Sequence, residues 1–224
     1  HRDLHSFPTR RSSDLSIEVA GTSPIYKIEL LKNNKVIETF KPRIKNNNYI
    51  RLFWYDDINS RRVNDSKTTG SIIAQKGNLS LINVYNGFNK SDIFKENAGI
   101  IEFRTNAYSG TPRGVIIKTD GADQLDFIVK DKYLDKTILK DTLQIDLTKL
   151  PIQFKKVLLQ DLLNPYTFEK GTYFYLFADY VEPTVSKTAT IKWQEKAGDE
   201  CYYYVRVEQL DGTLAWSSPI WFQK

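Results

Sequence analysis

The sequence predicts an all-β protein made of packed antiparallel sheets, with one short helix at most. Three observations predict it. Apolar and polar residues alternate with period two in one short run after another. Turn residues separate these runs at short, regular spacing. Two of the turns, Asn33-Asn34 and Asp211-Gly212, use residues suited to tight hairpins.

The runs can be justified in order. From Ile25 to Leu31, Tyr26, Ile28 and Leu30 alternate with Lys27 and Glu29. Asn33-Asn34 then turns the chain, because asparagine tolerates the positive φ of primed hairpin turns, and Val36 to Phe40 returns. Tyr49 to Tyr55, Gly70 to Gln75, Asn78 to Tyr85, Ile100 to Thr105, Gly114 to Thr119 and Gln124 to Lys130 follow. Later come Thr142 to Leu147, Tyr173 to Phe177, Thr188 to Trp193, Tyr202 to Glu208 and Ser218 to Phe222. Such a series reads as a sandwich or barrel. Lys155 to Leu163 breaks the pattern. Leu158, Leu159, Leu162 and Leu163 have helical spacing and Asn164-Pro165 stops it, so a short helix is expected there. The stretches Lys45–Asn48 and Asn59–Thr68 are polar and expected to be loops.

The first fifteen residues are of another kind. His5 to Leu15 resembles a sequencing-adapter oligonucleotide translated in one frame. Residues 1–15 are therefore set apart from the fold as an artefact and expected to be disordered. Both histidines, His1 and His5, fall within them, so residues 16–224 contain none, and the chain has no methionine.

Composition narrows the functions open to the rest. The formal net charge is +5 over 224 residues, with acids and bases interleaved. Nucleic-acid binding calls for a clustered basic stripe, and none is visible, so no nucleic-acid partner is expected. No apolar run approaches bilayer-spanning length. One cysteine allows neither an internal disulfide nor a cysteine metal cluster. In Cys201–Val207 the alternation puts Cys201 on the face of Tyr203, Val205 and Val207, as a buried packing residue. Histidine bases and nucleophile–histidine pairs are excluded from residues 16–224.

Each remaining candidate has a plainer reading that is favoured. Asp56-Asp57 with Asn59 and Asp65 offers hard oxygen ligands for calcium, but its spacing matches no known loop and reads as a polar turn. Asp120-Gly-Ala-Asp123 with Asp126 is likewise a turn signal first. Trp54/Tyr55, Tyr173/Tyr175/Tyr180 and Trp216/Trp221 suggest a stacking platform for sugars or a partner surface, but alternating aromatics more often pack. Tyr202, Tyr204, Arg206 and Glu208 share the face opposite Cys201. That face is expected to meet solvent or another domain, with Arg206 spread over a tyrosine ring. Trp216 is expected to be a buried anchor, and Pro219 to begin the last strand or lie at an edge. Asn64, Asn78 and Asn89 head glycosylation triplets, which are common by chance and receive no role.

Three segments carry a family resemblance covering essentially residues 16–224. Ala20 to Ile37 resembles a G-x-API-x-x-VE hairpin. Arg51 to Trp54, through Arg62 to Ile72, resembles a W…R…W-D-G strand pair, although Asn64 to Gly70 stands where Trp-Asp-Gly would fall. Tyr202 to Trp221 resembles a YYVRV-x-Q-x-DG-x-x-AWSSPIW terminus. Together they are similar to the C-terminal β-sandwich region of PHP-superfamily metallohydrolases of the CehA/McbA-like branch.

The resemblance implies a non-catalytic accessory module. It packs on a catalytic domain lying upstream in the same chain, where divalent metal activates water against phosphoester, carbamate or amide bonds. Neither catalytic, metal nor cofactor-binding residues are assigned to this chain. The alternative is a carbohydrate- or surface-binding module, with a glycan as partner. Export to a periplasmic or extracellular location is also implied. The expected organisation is an Ig-like sandwich from 16–48 and 184–224, with a second β-sandwich, 49–183, inserted. The first hairpin should then meet the C-terminal strands.

Overall fold

A computed structural model describes residues 12–57, 66–85, 92–107, 113–131, 136–137, 142–157, 173–196 and 200–222. They form strands joined by turns, with one 3-10 turn at Leu147–Lys149. The chain divides into two compact units, 1–43 with 184–224, and 44–183. The expected boundary at 48/49 lies five residues beyond the observed one.

The first unit begins with β1 (Ser12–Ala20), β2 (Ile25–Lys32) and β3 (Lys35–Phe40). Asn33 and Asn34 both have positive φ, 48° and 66°, as the two central positions of a primed turn require. Asn33 also fastens the turn to a distant strand: its side chain accepts from the Tyr202 amide, and its own amide donates to the Tyr202 carbonyl.

The inserted unit holds β4 (Tyr49–Asp57), β5 (Ser66–Ala74), β6 (Asn78–Tyr85), β7 (Ile93–Asn97), β8 (Ile100–Ala107) and β9 (Arg113–Asp120). It continues with β10 (Gln124–Asp131), β11 (Lys136–Thr137), β12 (Leu143–Asp146), β13 (Ile152–Val157) and β14 (Tyr173–Tyr180). One sheet runs β11-β10-β5-β8-β7, with β12 also on β10; the other runs β13-β14-β4-β9-β6. Their inner faces share one core. Trp54 lies 5.3 Å from Phe103 and 5.0 Å from Phe127, ring centre to ring centre. Leu52, Ile72, Ile101, Val115, Leu125 and Leu176 pack around them. Each such aliphatic side chain contributes roughly 1.5–3 kcal/mol by leaving water. Gly70 pairs with Phe103, whose ring occupies the space a Cβ would need.

The chain then returns to the first unit as β15 (Thr188–Lys196), β16 (Cys201–Gln209), β17 (Leu214–Trp216) and β18 (Ile220–Phe222). One sheet has order β17-β16-β2-β3, with β18 further along β16. The first hairpin therefore pairs with a C-terminal strand, through Val205↔Leu30 and Val207↔Ile28. Across from this sheet, among the described residues, lie β1 and β15, paired without interruption from Ser12↔Lys196 to Ala20↔Thr188. Ile17, Ile25, Ile28, Leu30, Cys201, Tyr203 and Val207 form the core between. The loop before β2 is tied by Gln209, whose Oε1 accepts from the Ser23 amide at 2.7 Å.

Three expectations need correction. Residues 12–15 were expected to be disordered with the rest of 1–15, yet they are the first part of β1; residues 1–11 lie outside the described residues. Leu15, Ile17 and Val19 alternate inward, and Leu15 meets its register partner Trp193, so the edge of β15 and the core hold this stretch. Lys155–Val157, expected to open a helix, are strand, paired Lys155↔Tyr175 and Val157↔Tyr173. Strand pairing overrides a leucine spacing that begins only at Leu158, and 158–163 lie outside the described residues. Ser66–Thr68, expected in a loop, open β5.

Candidate interaction surface

The sheet β17-β16-β2-β3 has two faces, and register assigns each residue to one. Tyr203, Val205 and Val207 point to the core with Leu30 and Ile28. Tyr202, Tyr204, Arg206 and Glu208 point away, with Leu31, Glu29 and Lys27 of β2 opposite the last three. The β17–β18 edge adds Leu214 beside Glu208, Trp216 beside Arg206 and Trp221 beside Tyr202. A row of aromatic and charged side chains thus covers one sheet face.

The edge strand is broken between the two tryptophans. Asp211-Gly212 turns β16 into β17: Gly212 has φ 80°, and the Asp211 carboxylate accepts from the Thr213 amide. After Trp216 the chain leaves the ladder at Ser217-Ser218-Pro219 and rejoins at Ile220. Pro219 has no N–H to donate, which suits it to the gap just before β18. Ser217 bridges the gap, its amide donating to the Val205 carbonyl and its Oγ accepting from the Val205 amide.

Trp216 is 58% exposed and Trp221 65%, so the expectation of a buried Trp216 anchor is corrected. Trp216 stands on an outer strand, on the face turned from the core. The Trp221 ring lies 4.6 Å from Tyr202, tilted by 43°, and Tyr202 lies 6.4 Å from Tyr204, nearly parallel. The Tyr204 hydroxyl donates to Asn34 Oδ1 at 3.1 Å.

Beside the aromatics runs a chain of charges. Arg206 Nε meets Glu29 Oε2 at 2.6 Å, Lys27 Nζ meets Glu29 Oε1 at 2.9 Å, and Lys27 reaches Glu208 at 3.6 Å. Arg206 thus serves a carboxylate instead of spreading over a tyrosine ring. Glu29 is only 7% exposed. Burial pushes its carboxyl up, but Arg206 and Lys27 outweigh that and hold it below the usual carboxylate range. The same bond raises the Arg206 guanidinium. Sequence reading missed this network. Alternation puts Lys27 and Glu29 on one face, but only the β2–β16 register brings Arg206 to them.

The inner side of the unit carries a second polar cluster, between its sheets. Glu195 of β15 accepts from Tyr203 Oη at 2.5 Å and from Lys32 Nζ at 2.9 Å. The Tyr203 hydrogen bond, with Lys32, lowers Glu195 despite opposing desolvation. Burial, then Glu195, pushes the Tyr203 hydroxyl up to about 12. Glu195, then Tyr203, raises Lys32. Trp193 packs 5.6 Å from Tyr203, and Phe222 meets Tyr203 edge-on. Cys201 is buried beside them.

The other candidates are dispersed. Trp54 is fully buried in the inserted unit's core. Tyr55 and Tyr175 stack 4.7 Å apart as a directly opposed cross-strand pair, and Phe177 joins at 6.1 Å. Tyr180 donates its hydroxyl to the Leu147 carbonyl at 2.8 Å. Tyr173 begins β14 at the register partner of Asp57. Asp56 and Asp57 end β4, while Asn59 and Asp65 lie outside the described residues. Asp120 meets Lys118 at 3.2 Å, Asp126 receives Gln75 at 3.3 Å, and the Asp123 carbonyl accepts from the Leu147 amide. Asn78 opens β6, and Asn64 and Asn89 lie outside the described residues.

Among the described residues no group of three or more His, Cys, Asp or Glu is placed to hold a metal ion. No described helix is long and apolar enough to cross a membrane. Compared with known proteins, the chain matches no family model, no curated protein and no solved structure.

Proposed function

We propose that this chain is a non-catalytic accessory module that docks another protein domain through the outer face of β16, β17 and β18. Trp216, Trp221, Tyr202, Tyr204 and Arg206 are of the residue types that dominate binding energy at protein interfaces. The observation that carries the reading is the exposure of Trp216 and Trp221 on one sheet face, beside Arg206 and Tyr202 of β16. Large exposed aromatics in a contiguous patch mark interaction surfaces. A sugar platform would call for a run of coplanar rings; Tyr202 and Tyr204 lie nearly parallel, but Trp221 is tilted by 43° from Tyr202 and breaks the run.

The resemblance of Tyr202 to Trp221 to the terminus of PHP-type metallohydrolases names the partner: the metal-dependent catalytic domain of such a hydrolase, upstream in the same chain. Its divalent metals and its histidine ligands belong to that domain. The Ig-like character of the first unit and an extracytoplasmic location go with the same reading.

The test is to recover the coding DNA upstream of Ser16. Several hundred codons rich in clustered His, Asp and Glu support the reading. A start codon and signal peptide just before Ser16 would sink it, leaving a free-standing module with glycan binding as the next hypothesis.

A further inference from the structure

We draw no further inference here: the strongest candidate, the Arg206 guanidinium beside Trp216 on the outer face of β16, belongs to the docking face already described, its Nε is taken by Glu29, and nothing in the structure shows which group of a partner would meet it.

Discussion

Arg206 of β16 and Glu29 of β2 are register partners whose side chains meet at 2.6 Å on the face turned from the core. The pair is separated by 177 residues in sequence, so it forms only when the last strands close on the first hairpin. It stiffens the centre of the proposed docking face and leaves little of Glu29 in water.

Arg206→Ala should destabilise the first unit by about 1–2 kcal/mol, because Glu29 keeps Lys27 but loses its guanidinium. Glu29→Gln in the Arg206→Ala background should add little. Denaturant titration of the four-member double-mutant cycle reads the coupling, and additive losses would contradict the pairing.

Trp216→Ala and Trp221→Ala should change stability by less than about 1 kcal/mol, since both rings stand mostly in water. A loss of several kcal/mol on thermal unfolding would mean that Trp216 anchors the core after all.

Stability should fall on the acid side through Glu195. Its folded carboxyl lies below the usual 4.5. A depressed folded value contributes stability that is present above the unfolded value and is lost as pH drops through the folded one. Glu195→Gln should flatten stability between about pH 5 and pH 3 relative to the wild type. Tyr203→Phe removes the hydrogen bond that does most to lower the Glu195 carboxyl and should cost roughly 1–3 kcal/mol near neutrality. An unchanged acid limb in Glu195→Gln would refute the assignment.

Gly70→Ala should destabilise the inserted unit by about 1–3 kcal/mol, because the Phe103 ring and the Ile128 carbonyl oxygen both crowd the new methyl. Thermal unfolding of Gly70→Ala with Phe103→Leu should recover part of the loss. Failure to recover would place the strain on the Ile128 carbonyl oxygen, the other atom against the new methyl.

The strands of both units were legible where alternation and turn chemistry agreed. Asn33-Asn34 is the clearest case, since positive φ at two successive residues is what a primed turn demands and asparagine allows. Cys201 was placed on the buried face by parity alone. What the sequence left hidden depended on partners far along the chain. Leu15, Ile17 and Val19 alternate as a strand should, but the adapter-like character of residues 5–15 masked the pattern. β13 was hidden because a leucine cluster beginning at Leu158 suggested a helix. Parity gave Trp216 a face, yet whether a second layer covers that face is a property of the whole sheet. The Arg206–Glu29–Lys27 network required the β2–β16 register, which no local signal carries.

The most direct test of the docking face is calorimetric titration of the chain with the catalytic domain proposed to lie upstream of Ser16, expressed by itself. The account predicts saturable association that Trp216→Ala with Trp221→Ala weakens by about 2 kcal/mol or more, as for interface hot spots. Association unaffected by the double substitution, or none at all, would contradict it.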